Sequence, residues 1–85
     1  MTQIYKEDGR LLDLSRILYV GPILESYGKW TYLCYYDLGY GIEKFPSYFG
    51  TEQDAKLAHR DLQIAWSRFQ EYMSEKQTII VERKA

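Results

Sequence analysis

Few residues in this sequence have the chemistry that acid–base or nucleophilic catalysis needs. His59 is the only histidine and Cys34 the only cysteine. In the predicted helix, Asp61 lies two residues from His59 and faces another direction, so the two side chains form no local dyad. Cys34 would need an electropositive neighbour to lower its thiol pKa, whereas its predicted strand places it among aromatic residues, which favours core packing. We therefore expect a protein that is not an enzyme and has no cofactor. We also expect no bound metal, because nothing in the sequence resembles metal-ligand spacing.

The tyrosines are the second group with recognisable chemistry. Nine tyrosines occur in 85 residues, and six of them lie within residues 27–48. Tyrosine gives an interface a large, rigid area with a polar tip, and it is enriched among the residues that dominate binding energy. Tyrosines also stabilise strands through cross-strand pairs, so both interpretations stay open at this point.

The predicted partner-binding residues fall into a strand group and a helix group. They are Tyr32, Tyr35, Tyr36 and Tyr40 in the strands, and Leu57, Ile64 and Tyr72 in the helix.

The strongest predicted strand, WTYLCYYD, alternates its side chains between two faces. In one assignment Tyr32 and Cys34 pack under the helix, and Tyr35 faces outward beside Leu18 or Tyr19. In the reverse assignment Tyr32 is exposed. Either way, aromatic residues line both faces of the sheet.

A long helix over residues 51–76 organises the rest of the chain. Thr51 and Asp54 have the spacing of a capping box, in which each side chain satisfies a backbone N–H of the first turn. Seven apolar residues then recur at steps of three and four, as a core-facing helix requires. They are Ala55, Ala58, Leu62, Ala65, Trp66, Phe69 and Met73.

Two features of this helix suggest a further contact. Leu57 and Ile64 lie seven residues apart and point away from the apolar stripe, which fits either scattered exposed residues or a contact line for a partner. About 25 helical residues span roughly 37 Å, whereas a six-residue strand spans about 20 Å. The C-terminal turns should therefore overhang the sheet, and the tail or another chain should cover Trp66, Phe69, Tyr72 and Met73.

The remainder of the chain predicts short antiparallel strands. An Asp-Gly pair joins residues 3–6 to 10–13 as a hairpin, and residues 17–23 form a central, well-covered strand that Gly21 and Pro22 interrupt. Residues 30–37 and 40–48 form a further hairpin with a register switch near Pro46. The TIIV run at 78–81 would add a short final edge strand or pair with another copy of the protein. The fold class is α+β: an antiparallel meander of about four to five strands packed against one long C-terminal helix, in a single domain over residues 1–85.

The passage from the aromatic hairpin into the helix carries one resemblance. Phe49, Thr51 and Ala55 form an F-x-T-x-x-x-A pattern that leads into a long helix containing Trp66. This arrangement resembles the closing half of a pleckstrin-homology-like module. The chain is too short for the seven strands of that family and lacks its basic loop, so the resemblance implies shape alone and assigns no binding residue.

Composition narrows the partners and the compartment. The net charge of −1 provides no basic field for a phosphate backbone, so nucleic acid is disfavoured as a partner. No apolar run approaches the roughly 20 residues of a membrane span, so we expect no membrane insertion. The lone cysteine and an N-terminus without an apolar segment favour the cytoplasm.

These observations favour a small, non-enzymatic protein-interaction module that self-associates as a homodimer and can bind another protein. The dimer contact is either the aromatic sheet face or the far side of the helix with Leu57 and Ile64. Its size and style are typical of bacterial or phage accessory proteins, including inhibitors. The alternative is a small-molecule or nucleotide binder, in which tyrosines stack on a planar ring and Lys29, Lys44 or Arg16 holds an anion. Single-stranded RNA binding ranks third and an enzyme fourth.

Overall fold

The computed structural model describes residues 3–7 and 9–84, with side chains described as far as Glu75. Within this part of the chain there are six strands, one 3-10 turn and one helix. In chain order they are β1 Ile4–Glu7, β2 Arg10–Asp13, the 3-10 turn Leu14–Arg16, β3 Ile17–Val20, β4 Leu24–Ser26, β5 Lys29–Asp37, β6 Ile42–Phe49 and α1 Glu52–Lys84. The predicted α+β class, with antiparallel strands and one long C-terminal helix, is confirmed. The strands form two sheets, of two and four strands.

β1 and β2 form the predicted hairpin and make the two-stranded sheet. Gly9 in the turn adopts a φ of 78°, a left-handed conformation that glycine reaches without strain. The 3-10 turn follows directly, and the Asp13 carboxylate caps it by accepting a hydrogen bond from the Ser15 N–H at 3.0 Å. Leu12 and Leu14 carry this segment into the core.

β5 is the central strand of the larger sheet. β6 pairs along one side of β5, and β3 and β4 pair along the other side. Residues 21–23 separate β3 from β4, which agrees with the predicted interruption at Gly21 and Pro22. β3 is an edge strand, however, and the prediction of a central, well-covered strand is wrong, because Leu18 and Tyr19 are exposed. An apolar run has the same sequence pattern in an edge strand as in a central strand, so the two cannot be distinguished until the neighbouring strands are known.

β6 keeps one register with β5 along its whole length, so the predicted register switch near Pro46 is wrong. Pro46 is tolerated because β6 lies at the sheet edge, where a missing N–H breaks no ladder hydrogen bond. Because the register is unbroken, the opposite parity of Ile42 and Phe45 places them on opposite faces of the sheet. Ile42 is exposed, whereas Phe45 packs against the core.

The core lies between one face of the larger sheet and α1. Tyr32 and Cys34 of β5 are buried there with Leu62 and Phe69 of α1. The first of the two face assignments is therefore correct. Tyr32 is only 1% exposed, which places it in the core and removes it from the surface that the sequence suggested.

α1 begins where the capping residues predict. Thr51 Oγ1 accepts a hydrogen bond from the Asp54 N–H at 3.1 Å. The helix then runs for 33 residues and includes residues 78–81, so the final strand expected there is wrong. The chain has no glycine or proline after Gly50, and helix propagation outweighs the β preference of a four-residue run.

Within the described part of the chain, no helix combines the length and apolar character needed to cross a membrane.

The apolar residues of α1 beyond the sheet receive cover from an unexpected element. Leu14 and Ile17, from the 3-10 turn and β3, line one groove with Trp66, Phe69 and Met73. Phe69 is buried and Trp66 is half-buried. The 3-10 turn and the start of β3 therefore cover part of the overhanging end of α1. Met73 is the most exposed member of the apolar stripe.

A polar clasp also joins the small hairpin to the larger sheet. The Tyr32 hydroxyl donates a hydrogen bond to the buried Glu7 carboxylate, whose second oxygen has no partner among the described residues. Arg10 donates to Ser47 Oγ and to the Pro46 carbonyl, each at 2.9 Å. Burial, and then the hydrogen bond to Glu7, raise the pKa of Tyr32 well above its usual value, so the phenol keeps its proton.

Truncating the buried side of α1 should cost far more than truncating its exposed side. Leu62 is fully buried and Leu57 is 41% exposed, so they form a matched pair on one helix. Leu62→Ala is expected to lower the free energy of unfolding by about 2–5 kcal/mol, and Leu57→Ala by less than about 1 kcal/mol. Urea unfolding of both variants measures this, and equal losses would contradict the packing described.

Breaking the clasp should leave a buried carboxylate unpartnered. Tyr32→Phe is expected to destabilise the protein by about 1–3 kcal/mol, because Glu7 then loses its donor. Tyr40→Phe, at an exposed turn, is the matched control and should change little. Replacing Glu7 by leucine together with Tyr32→Phe should recover part of the loss in the same unfolding assay, since no buried charge remains. A Tyr32→Phe cost equal to that of the control would show that the clasp contributes nothing.

Candidate binding surface on the sheet

One face of the larger sheet points away from α1 and from the core. Thr31, Leu33 and Tyr35 of β5 alternate with the buried Tyr32 and Cys34, so they lie on this opposite side. We call it the open face. Among the described residues, no element packs over it, and it carries several of the most exposed large side chains of the sheet.

Cross-strand pairing arranges the open face in three rows that run across the strands. Directly paired residues of an antiparallel sheet point to the same side and contact each other. Along the middle of β5 the rows are Leu24–Thr31–Tyr48, Gly21–Leu33–Pro46 and Tyr19–Tyr35–Lys44, and the pairs Ser26–Lys29 and Asp37–Ile42 lie beyond them at its two ends.

The middle row is low and forms the floor of a trough. Gly21 has no side chain, and its N–H donates to the Leu33 carbonyl at 2.8 Å. A Cβ at this position would lie 3.4 Å from that same carbonyl oxygen, which is van der Waals contact, so a side chain here would raise the floor of the trough. The trough between the two outer rows has a volume of about 380 Å³.

Aromatic rings form one wall and contribute to the other. Tyr19 and Tyr35 lie with ring centroids 5.6 Å apart and planes tilted by 58°. The Lys44 ammonium lies 5.6 Å from the centre of the Tyr35 ring, within the range of a cation–π contact. On the other wall Tyr48 is 58% exposed, next to an exposed Leu24.

The polar groups of the trough are few and mostly hydroxyls. Thr31 Oγ1 is buried and has no hydrogen-bond partner among the described residues. Buried hydroxyls are usually satisfied, so Thr31 is an unpaired polar group in the wall of the trough. Between its two walls the trough is otherwise apolar, with Leu33, Pro22 and Pro46 at its base.

α1 supports the trough from behind. His59 Nε2–H donates to the Gly21 carbonyl at 2.9 Å, which requires that the proton is on this nitrogen. The same ring makes a T-shaped contact with Tyr32, with ring centroids 5.0 Å apart. His59 is half-buried at the boundary of the core, and its hydrogen bond holds the corner between β3 and β4 against the helix.

The structure separates the predicted partner-binding residues of the strands. Tyr35 is the one that lies on the open face. Tyr32 is in the core, and Tyr36 faces the core side, where its hydroxyl accepts a hydrogen bond from the Asp13 N–H at 3.0 Å. Tyr40 is 90% exposed in the turn between β5 and β6.

The helix members of that set lie elsewhere. Leu57 and Ile64 are exposed on the side of α1 away from the core, and Tyr72 is half-buried nearer the end of the described side chains. The seven residues therefore form no single site, although Leu57 and Ile64 share one side of the helix. Partner binding by any of them stays a prediction.

Sequence reasoning did not select Tyr48 and Leu24 for the open face. The signal for Tyr48 was present, because Phe45 and Phe49 are core residues of the same strand and Tyr48 has the opposite parity to both. The expected register switch at Pro46 hid it. Leu24 could not be placed without knowing that β4 pairs with β5 at Thr31.

Cys34 lies on the core side and takes no part in the open face. Burial first, and then the nearby Glu7 carboxylate, raise the pKa of its thiol to about 11, so the thiol is uncharged at neutral pH. Within residues 3–7 and 9–75, no group of three histidine, cysteine, aspartate or glutamate side chains is placed to hold a metal ion.

No family model matches the chain, and no curated protein or solved structure matches it at a significant level. The resemblance to a pleckstrin-homology-like module gains no support from these comparisons. Function is therefore inferred from the surface described above.

The raised pKa of Cys34 should make stability fall at alkaline pH. The unfolded thiol ionises near pH 8.5, whereas the folded thiol keeps its proton up to about pH 11, so the unfolded state binds fewer protons between these values. Raising the pH from about 8 to about 10.5 should cost the wild type roughly 2 kcal/mol more than Cys34→Ala. Urea unfolding across this range tests it, and parallel pH profiles would contradict it.

Proposed function

We propose that this protein is a non-enzymatic protein-interaction module whose contact surface is the open face of the larger sheet. The observation that carries the proposal is an aromatic trough of about 380 Å³ on a sheet face that no described element covers. Soluble proteins rarely leave large contiguous apolar surface exposed unless something binds it. Tyrosines around an apolar depression are also the composition of a binding hot spot.

The edges of this sheet are poor alternatives to its face. β6 carries Lys44 and Pro46, two residue types that hinder the addition of another strand at an edge. The opposite edge is broken by a register shift between Ile17 and Tyr19 and by the gap between β3 and β4. A partner strand would find few consecutive free backbone groups on that side, so the broad face is the favoured surface.

Self-association forms the second part of the proposal, and we assign it to the outer side of α1. Leu57 and Ile64 lie seven residues apart, the spacing of a seam between paired helices, and both are exposed. Charged pairs flank the seam, Lys56 with Glu52 at 3.6 Å and Arg60 with Asp61 at 3.2 Å. An apolar line with a polar rim supports a homodimer that leaves the open face available. A cytoplasmic location is part of the proposal, on the single unpaired cysteine.

A second candidate, a small-molecule or nucleotide binder, is favoured by the size of the trough, because ligand pockets occupy about 300–1,000 Å³. For an anion, two lysines have the parity of the open face: Lys44, which already contacts Tyr35, and Lys29 at the start of β5. Thermal shift with a nucleotide panel discriminates the two, since a ligand at 100 times its dissociation constant adds about 2.7 kcal/mol. A reproducible shift lost in Tyr35→Ala would favour this second candidate.

Panning a random peptide display library against the folded protein tests the main proposal. Enriched peptides should bind the wild type and should bind Tyr48→Arg at least about tenfold more weakly, a loss of about 1.4 kcal/mol. Tyr40→Arg, an exposed tyrosine outside the trough, is the matched control and should retain binding. No enrichment, or equal binding to Tyr48→Arg, would count against the open face as a contact surface.

Light scattering with chromatography tests the dimer. The wild type should run at twice the monomer mass, and a Leu57→Lys/Ile64→Lys double variant should run as a folded monomer, because two buried charges would oppose the seam. Tyr48→Arg should remain dimeric. A wild type that is monomeric across micromolar concentrations would overturn self-association.

A further inference from the structure

We propose that the outer side of α1 binds the same side of a second copy of this chain in parallel orientation, and that Arg60 and Asp61 select this partner. The inference deepens the self-association proposed above and rests on it. It adds the orientation of the two helices and the charged contacts between them, and both follow from where the charged residues lie around Leu57 and Ile64.

Four residues surround one point on the exposed side of α1. Leu57 and Ile64 lie one above the other along the helix, and each is 41% exposed. Between their levels, Arg60 lies on one flank of this apolar line and Asp61 on the other flank, three and four residues after Leu57. Their side chains are 63% and 55% exposed. The surface is therefore an apolar line with a cation on one flank and an anion on the other.

The ion pair between Arg60 and Asp61 leaves both groups able to bind a second chain. Arg60 donates from Nε and from one Nη to a single oxygen of Asp61, at 3.4 and 3.2 Å. A guanidinium has five N–H donors, so three remain for another acceptor. An exposed ion pair contributes little to folding, and sharing its charges with a second copy therefore costs the monomer little.

A two-fold dimer of parallel helices brings opposite charges together. Its symmetry axis runs along the helix pair, so each residue lies level with its own copy, and each flank of one helix faces the other flank of its partner. Leu57 then packs on Leu57 of the second copy, and Ile64 packs on Ile64. Arg60 of each chain faces Asp61 of the other, so both charged contacts are attractive.

The antiparallel alternative brings like charges together. If Leu57 packs on Ile64 of the second copy, the symmetry axis crosses the helix pair and each flank faces the same flank of the other helix. Arg60 would then face Arg60, and Asp61 would face Asp61. Like charges across an interface oppose association, so the charge pattern favours the parallel orientation.

Two more charged residues extend the same pattern towards the end of α1. Glu71 lies eleven residues after Arg60 and so on the same flank, and Arg68 lies seven residues after Asp61 on its flank. Both are exposed. In the parallel dimer Glu71 therefore faces Arg68 of the second copy, which adds another attractive contact on each side.

The length of α1 also favours the parallel orientation. Its 33 residues span about 50 Å, and parallel helices can lie side by side along this whole length. Antiparallel helices matched at Leu57 and Ile64 would overlap from Glu52 to about Phe69 only, which is about 27 Å. The parallel dimer can therefore bury more of the area that a specific interface requires.

Disulfide cross-linking of the full-length chain tests the orientation. Leu57→Cys and Ile64→Cys, each kept apart from the other, should form covalent dimers under mild oxidation, because each thiol lies opposite its own copy. Cys34 is buried and supplies no competing thiol. Tyr40→Cys, an exposed site away from α1, is the control for random collision and should cross-link at least about tenfold more slowly.

Charge exchange tests the contacts in sedimentation experiments. Asp61→Arg should raise the dimer dissociation constant at least about tenfold, because both contacts with Arg60 become repulsive. Adding Arg60→Asp to the same chain should restore the wild-type value, because opposite charges again face each other. Glu43→Arg, which reverses an exposed carboxylate on β6, is the matched control and should dimerise like the wild type.

Urea unfolding must show that each variant is folded, and Ile64→Cys carries the cross-linking test if Leu57→Cys is not. Cross-links that form only when the two cysteine variants are mixed would show an antiparallel dimer. That result, or a double charge variant that stays as weak as Asp61→Arg, would overturn this inference and leave the proposed self-association standing. A monomeric wild type, or a dimer that Leu57→Lys/Ile64→Lys does not disrupt, would remove both.

Discussion

β5 has a strand on each side and side chains on both faces, but the described chain supplies one helix to cover them. α1 lies on the Tyr32 and Cys34 side and closes a core with the small hairpin and the 3-10 turn. The opposite face is left with Thr31, Leu33 and Tyr35 and their neighbours. In a small domain this asymmetry decides where the exposed apolar surface must be, because a short chain cannot bury both faces of its sheet.

The hairpin completes the covered side with polar as well as apolar contacts. Leu12 enters the core, while Glu7 and Arg10 reach groups on β5 and β6. Removing one partner of a buried pair costs more free energy of folding than the intact pair contributes. The clasp therefore fixes the position of the hairpin more than it adds net stability. As a consequence, β1 and β2 are held in one position on the same side of the larger sheet as α1, away from the open face.

Local signals predicted the elements whose causes are local. The Thr51 cap, the Asp-Gly hairpin and the alternation of β5 depend on neighbouring residues, and all three are present. The face that α1 covers could not be read from the alternation, because both faces of β5 carry aromatic residues. The edge position of β3 and the unbroken register of β6 depend on which strands lie next to them. The helical state of residues 78–81 reflects propagation from the preceding turns, which a four-residue preference cannot reveal.

The candidate site was predictable only in part, and for the same reason. Tyr35 was identified, but its neighbours Tyr48 and Leu24 come from strands whose pairing with β5 is a tertiary property. Tyr32 and Tyr36 have the same residue type and lie in the same strand, yet they face the core side. Residue type alone therefore separates a contact tyrosine from a core tyrosine poorly, and parity relative to a known core residue separates them well.

The hydrogen bond from His59 to the Gly21 carbonyl joins two surfaces that face opposite directions. Gly21 lies at the floor of the trough, and His59 is on the helix whose outer side carries Leu57 and Ile64. Under the proposed function, a molecule that ordered the corner at Gly21 would favour one position of α1, and a contact that shifted α1 would change the free energy of binding in the trough. Thermodynamic reciprocity makes the two effects equal in size. The bond is therefore a contact through which binding at the proposed trough and at the outer side of α1 would be coupled.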